Sequence, residues 1–101
     1  MTEKEKMLAG MVYEAVLDED LKEDRLKCKD LCFAANQLPP SKIKEQSEIF
    51  VSLFAKAGEG FYITTPFWCD YGYNIEAGDN FYANHNLVIL DCAKVTVSAP
   101  N

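Results

Sequence analysis

Apolar side chains recur at helical spacing through the first half of the chain and at a different spacing through the second. Met7, Leu8, Met11 and Val12 fall three and four apart on one face of a short helix. Thr2 and Glu5 supply a T-x-x-E capping box ahead of them. A second stripe, Leu21, Cys28, Leu31, Cys32 and Ala35, predicts a longer helix that Asp18 or Asp20 can cap and that Pro39 and Pro40 end. Ser41 is expected to cap a third helix carrying Ile49, Phe50, Leu53 and Phe54, closed by Gly58 and Gly60. Each helix has a single apolar stripe, and part of the surface that covers these stripes is expected outside this half.

From Phe61 the period changes. Phe61, Ile63, Thr64 and Thr65 favour strand, and Pro66 interrupts. Ala77, Ala83 and Ile89 are six apart, as are Phe81, Leu87 and Ala93. Six is not a multiple of the helical turn. It is the repeat of a hexapeptide β-helix, whose coils are triangles of short strands with one small or aliphatic side chain turned inward per side. Alanine suits a crowded interior, and Gly78 and Asn80 suit corners. Ordinary hairpins with coincidental spacing are the alternative, which three repeats do not exclude. A solenoid this short buries its faces only against further repeats.

Composition narrows the function more than the fold. The 101 residues suffice for one small domain, and 49% are hydrophobic, which excludes a disordered tail. Sixteen acids against ten bases give a net charge of -6, unsuited to sequence-independent nucleic-acid binding. The charges are mixed along residues 3–48, as on solvated helix faces. "MTEKEKMLAG" is not a signal peptide and no apolar run reaches membrane-span length, so a cytoplasmic protein without membrane partners is expected. Free, buried thiols are then expected for Cys28, Cys32, Cys69 and Cys92. Cys28 and Cys32 share a helix face, but a metal site would need a second close pair or a nearby histidine, and His85 is the only one. No metal is expected, and a thiol or metal module on Cys28 and Cys32 is the weak rival.

The stretch "PFWCDYGYNIEAGDNFYANHN", Pro66 to Asn86, crowds aromatics, asparagines and acids around two glycines. With "EKEKMLAGMVY", "DRLKCKDLCFAANQ", the continuation "LVILD" and the closing "VTV", it resembles the maltose/galactoside O-acetyltransferase family of hexapeptide-repeat acyltransferases. The resemblance spans nearly the whole chain, and the "CDYGYNI…GDNFYAN" block is its specific part. It implies an α+β fold: an N-terminal helical cap (residues 1–60) followed by the first coils of a left-handed parallel β-helix (61–101). It also implies transfer of acetyl from acetyl-CoA, a co-substrate rather than a tightly bound cofactor, to a sugar hydroxyl. The family works as a homotrimer with active sites between subunits. An aromatic surface bearing amides and carboxylates suits a sugar, since rings cover C–H faces and polar groups bond hydroxyls.

Three residues match family site positions. Asn84 matches the active-site asparagine beside the acceptor, where an amide can orient or stabilise an oxyanion without titrating. Asp70 matches a position contacting the acceptor sugar, and Asp91 a nearby acid. Each has a purely structural alternative: Asn84 as a left-handed corner, Asp70 as a cap of the Tyr71-Gly72 turn, Asp91 as a loop-holding side chain. The family's general base, a histidine followed by proline, has no counterpart, and His85 stands where the family has an aromatic. Where the family continues "VTIGDN", here "VTV" runs into "SAPN", and the coils that would bind the coenzyme are absent. The resemblance thus implies an incomplete chain, inactive alone; a non-catalytic structural or assembly remnant is the alternative. Maltose, glucose and galactosides differ by hydroxyl placement, and reading that needs site geometry.

Overall fold

The computed structural model describes residues 3–8 and 19–98. Among the described residues three helices come first: α1 (Glu3–Leu8), α2 (Glu19–Gln37) and α3 (Ile43–Leu53). Seven short strands follow: β1 (Lys56–Ala57), β2 (Tyr62–Ile63), β3 (Phe67–Cys69), β4 (Ile75–Ala77), β5 (Tyr82–Ala83), β6 (Leu87–Ile89) and β7 (Val95–Val97). No described helix is long and apolar enough to cross a membrane.

All strand pairing is parallel. β1, β4 and β7 form one face, β2 and β5 a second, β3 and β6 a third. Ala57 pairs with Ala77 and Ala77 with Val97, Ile63 with Ala83, and Cys69 with Ile89. Every partner stands 20 residues along, so each coil takes 20 residues. This excludes the hairpin alternative. It also explains the two sequence frames: 57, 63 and 69 line one coil's interior and 77, 83 and 89 the next, joined by an eight-residue step. The expected stacking of Ala77, Ala83 and Ile89 holds: the alanines are buried, and Ile89 is half-buried against the core. Ala93 departs from expectation. It lies exposed in the long step between β6 and β7, where the frame slips by two, and Val95 takes the stacked place over Ile75.

α2 and α3 pack on the first coil. Phe50 meets Phe67 edge-on at 5.4 Å between centroids, and Phe54 meets Phe67 at 5.8 Å. Asn36 imitates a strand partner for β3: its amide donates to the Phe67 carbonyl and accepts from the Phe67 N–H, both at 3.0 Å. Buried Gln46 donates to the Ala35 and Leu38 carbonyls, fastening the α2–α3 turn.

The element ends differ from expectation in two places. Lys42, not Ser41, occupies the cap of α3 and makes no side-chain cap bond. α3 ends at Leu53, ahead of Gly58 and Gly60, because Phe54 is already extended and Ala55 donates to the Ile75 carbonyl, joining the coil. The first strand therefore begins at Lys56. Asp20 lies within the first turn of α2 rather than capping it. Thr2, Met11, Val12 and Asp18 lie outside the described residues.

Candidate functional site

Two stacked pairs of corners carry the residues singled out in the sequence. One pair lies between the second and third faces, at residues 64–66 and 84–86. The other follows the third face, at residues 70–74 and 90–94.

Asn84 and His85 stand exposed at the first corner. The Asn84 side-chain oxygen accepts the His85 N–H at 2.9 Å, and its amide NH₂ makes no hydrogen bond among the described residues. It is left as a donor toward solvent. The left-handed residue of the corner is Asn86 (φ 66°), not Asn84. His85 Nδ1 lies 2.7 Å from the Thr65 carbonyl oxygen, which can only accept. Nδ1 is therefore the donor of this bond, which leaves Nε2 outside it. Tyr82, just before the corner, stacks on Tyr62 at 5.8 Å with 13° between planes, an exposed aromatic pair.

The second corner is built on Asp91, which is 0% exposed. One of its oxygens accepts the N–H groups of Asp70 (3.0 Å) and Tyr71 (2.9 Å). The other accepts those of Gly72 (2.8 Å) and Asn74 (3.3 Å). Asn74 closes the arrangement by donating its side-chain N–H to the Asp91 carbonyl at 2.7 Å. Burial pushes the Asp91 acid above the usual carboxylate range, against the pull of those N–H groups. Asp91, expected as an acid near the acceptor, has both oxygens occupied and no exposed surface, and it holds the corner above it, as its structural alternative had it. Asp70 is half-buried, and one of its oxygens accepts the Cys92 thiol proton at 3.5 Å.

Within one chain the fold separates these groups. Asn84 precedes β6 and Asp91 follows it, and three strand residues at roughly 3.3 Å each put about 10 Å of strand between the corners. A site using both ends of this face needs a surface that bridges them.

The second corner has a roof that the sequence did not disclose. Tyr71 and Tyr73 stack at 5.4 Å, Arg25 donates to the Tyr71 hydroxyl at 3.0 Å, and the Tyr73 hydroxyl donates to Asp24 at 2.8 Å. Lys4 pairs with Asp24 at 3.2 Å and lies 4.6 Å from the centre of the Tyr73 ring. Burial, and then the bond to Asp24, pushes the Tyr73 phenol well above its usual range. The only sequence signal was two tyrosines flanking a glycine. Beneath this roof is a cavity of about 230 Å³ whose lining includes Lys4, Asp24, Lys27, Cys28 and Tyr73. Cys28 and Cys32, on one face of α2 and buried as expected, are joined in the core by Cys69. Cys28 is pushed up to about 12, first by its hydrogen bond to Cys32 and then by burial.

Residues 6–58 match the family model of the maltose acetyltransferase hexapeptide capping motif. The chain belongs to the maltose/galactoside O-acetyltransferase family. A maltose O-acetyltransferase from Clostridium difficile 630 is 39% identical, superposes with a TM-score of 0.93 and is matched over 97% of this chain and 52% of that one. A galactoside acetyltransferase solved with coenzyme A is 36% identical with a TM-score of 0.87, over 97% of this chain and 48% of that one. A Staphylococcus aureus (strain Mu50) protein named as an acetyltransferase is 41% identical over 96 residues, 95% of this chain and 48% of its own length. The chain thus spans about half the length of the curated relatives it matches. Its architecture is that of this family, a helical cap and the first coils of a left-handed parallel β-helix.

Proposed function

We propose that these residues supply the cap and acceptor-side coils of an O-acetyltransferase that moves acetyl from acetyl-CoA to a hydroxyl of a maltose-, glucose- or galactoside-type sugar. The observation that carries this reading is the near-complete superposition on a maltose O-acetyltransferase, with Asn84 presented at an exposed corner. There its unpaired amide N–H can orient the acceptor or receive the developing oxyanion. Asp70, half-buried at the neighbouring corner, is the proposed sugar contact, held in place by Asp91 through its backbone N–H. The two corners stand about 10 Å of strand apart within one chain, and in the proposed trimer the surface that bridges them comes from a neighbouring subunit. Exposed Tyr82, Val88 and Leu90 (70%) supply apolar surface for such packing. The proposed working place is the cytoplasm.

The family's catalytic histidine has no match among these 101 residues, so the chain by itself is proposed to be inactive. Thiol release from acetyl-CoA, followed with maltose, glucose and a galactoside as acceptors, tests this. No acceptor-dependent release by the 101-residue chain is expected. His85 is the residue to challenge, since it is the one histidine of the sequence and its Nε2 is not used in the Thr65 contact. Turnover abolished in His85→Ala would make it the base and overturn the expectation of inactivity. The second reading, a non-catalytic assembly module of the same family, predicts oligomers with no turnover even in a longer protein that carries a matching histidine.

A further inference from the structure

Cys28 and Cys32 lie four residues apart on α2, and Cys69 ends β3 with its side chain directed into the same core. Cys69 Sγ is 3.4 Å from Cys28 Sγ and 4.0 Å from Cys32 Sγ, and all three sulfurs lie within 4.8 Å of one another. None is in a disulfide. Four sulfurs placed tetrahedrally about 2.3 Å from a zinc ion stand roughly 3.8 Å apart. The three thiols therefore already mark out one face of such a tetrahedron, and closing on an ion requires sulfur shifts of about 1 Å or less.

Thiols filling space as small apolar groups need not converge. Here three residues from two elements, as many as 41 positions apart in sequence, direct their sulfurs to one point. The cavity beside them adds a second observation. It is lined by Cys28, and not by Cys32 or Cys69, together with Asp24, Lys27, Leu31 and Leu53, so the cluster meets a partly polar open space at Cys28, with room there for a fourth ligand. We propose that Cys28, Cys32 and Cys69 bind one thiophilic divalent cation of the zinc class, with its fourth position open to the cavity and filled by water. Binding replaces three S–H bonds by three metal–sulfur bonds and releases three protons, with no change in oxidation state. The complex carries one net negative charge; in the cavity wall Lys4 is paired with Asp24, which leaves Lys27 to offset it in part. Lone, redox-inert thiolate chemistry of this kind selects zinc over magnesium or calcium, whose ligands are oxygens. The site stands apart from Asn84 and does not rest on the proposed acetyl transfer.

The test uses the full, reduced 101-residue chain with Co²⁺ as a spectroscopic probe and Zn²⁺ as competitor. The expected result is one equivalent of Co²⁺ with a thiolate-to-cobalt charge-transfer band, displaced by one equivalent of Zn²⁺. X-ray absorption at the zinc edge is expected to count three sulfur neighbours and one lighter atom. Cys69→Ser is expected to remove at least one sulfur and weaken binding tenfold or more, whereas Cys92→Ser leaves the sulfur count unchanged. Because Cys69→Ser alters the core, the sulfur count on the unmutated chain decides independently. Two or fewer sulfurs on that chain, or no bound ion while circular dichroism shows it folded, overturns the proposal. So does an unaltered band in Cys69→Ser.

Discussion

Asp91 is a single side chain on which an entire corner depends. Its two oxygens meet four backbone N–H groups from Asp70, Tyr71, Gly72 and Asn74, none of which has a strand partner. Replacement by asparagine keeps the size but turns an NH₂ toward two of those donors. Asp91→Asn is expected to cost about 2–4 kcal/mol, since bonds to a charged acceptor are lost and buried donors are stranded. A urea midpoint unchanged by the substitution would remove Asp91 from this role. Tyr73 makes a prediction about alkali. Asp24, Lys4 and Tyr71 surround its phenol, and burial with the Asp24 bond raises it. The unfolded phenol loses its proton near pH 10, while the folded one keeps it. Its contribution to stability is therefore complete below about pH 10 and is lost as pH rises through the folded value. Urea midpoints at about pH 9 and about pH 11 should fall further for the unmutated chain than for Tyr73→Phe.

At the scale of elements, the coil works by small inward residues at fixed places. Ala83 lies over Ile63 in the second face, buried on all sides. Ala83→Leu adds volume at a position that is already buried and is expected to destabilise by roughly 1–3 kcal/mol, read from thermal or urea unfolding. The corners impose a different demand. Gly72 has φ +83° with Leu53 of α3 pressed against it, so a Cβ there would collide with Leu53 and also strain the backbone. The same corner carries the two extra residues that lengthen the coil to 20. That is why a strict six-residue frame placed Ala93 inside when it lies outside. The end of α3 was misplaced for a related reason: glycine is a common helix terminator, but here the chain leaves the helix as soon as Ala55 finds a strand carbonyl.

For the whole molecule, the helical cap and the coil share one core, in which Cys28, Cys32, Phe50 and Phe54 meet Ile63, Phe67 and Cys69. The apolar stripes of α2 and α3, unexplained within their own half, find their cover there. The proposed acceptor site does not close in the same way, because Asn84 and Asp70 occupy successive corners. In a longer protein that carries the remaining coils, Asn84→Ala is expected to lower turnover by about 10²–10³ while leaving the unfolding midpoint in place. Unchanged turnover in that protein would take Asn84 out of the chemistry.

What the sequence determined by itself is what depends on near neighbours. Helical stripes around Cys28, Cys32 and Phe50, and the six-residue step through Ala77, Ala83 and Ile89, follow from side-chain spacing alone, because successive members of a stripe or of a coil frame stand within ten residues of one another. The family likeness of the Pro66–Asn86 stretch was legible for the same reason. What only the tertiary structure decided depends on partners tens of residues away. The 20-residue register brought Asp91 beneath Tyr71 and Gly72, and so made it the buried anchor of their corner. The docking of α2 on β3 brought Cys69 to Cys28 and Cys32. Spacing along a chain records the direction in which a side chain leaves its own element, while the group it meets is fixed by how many residues each corner consumes before the chain returns.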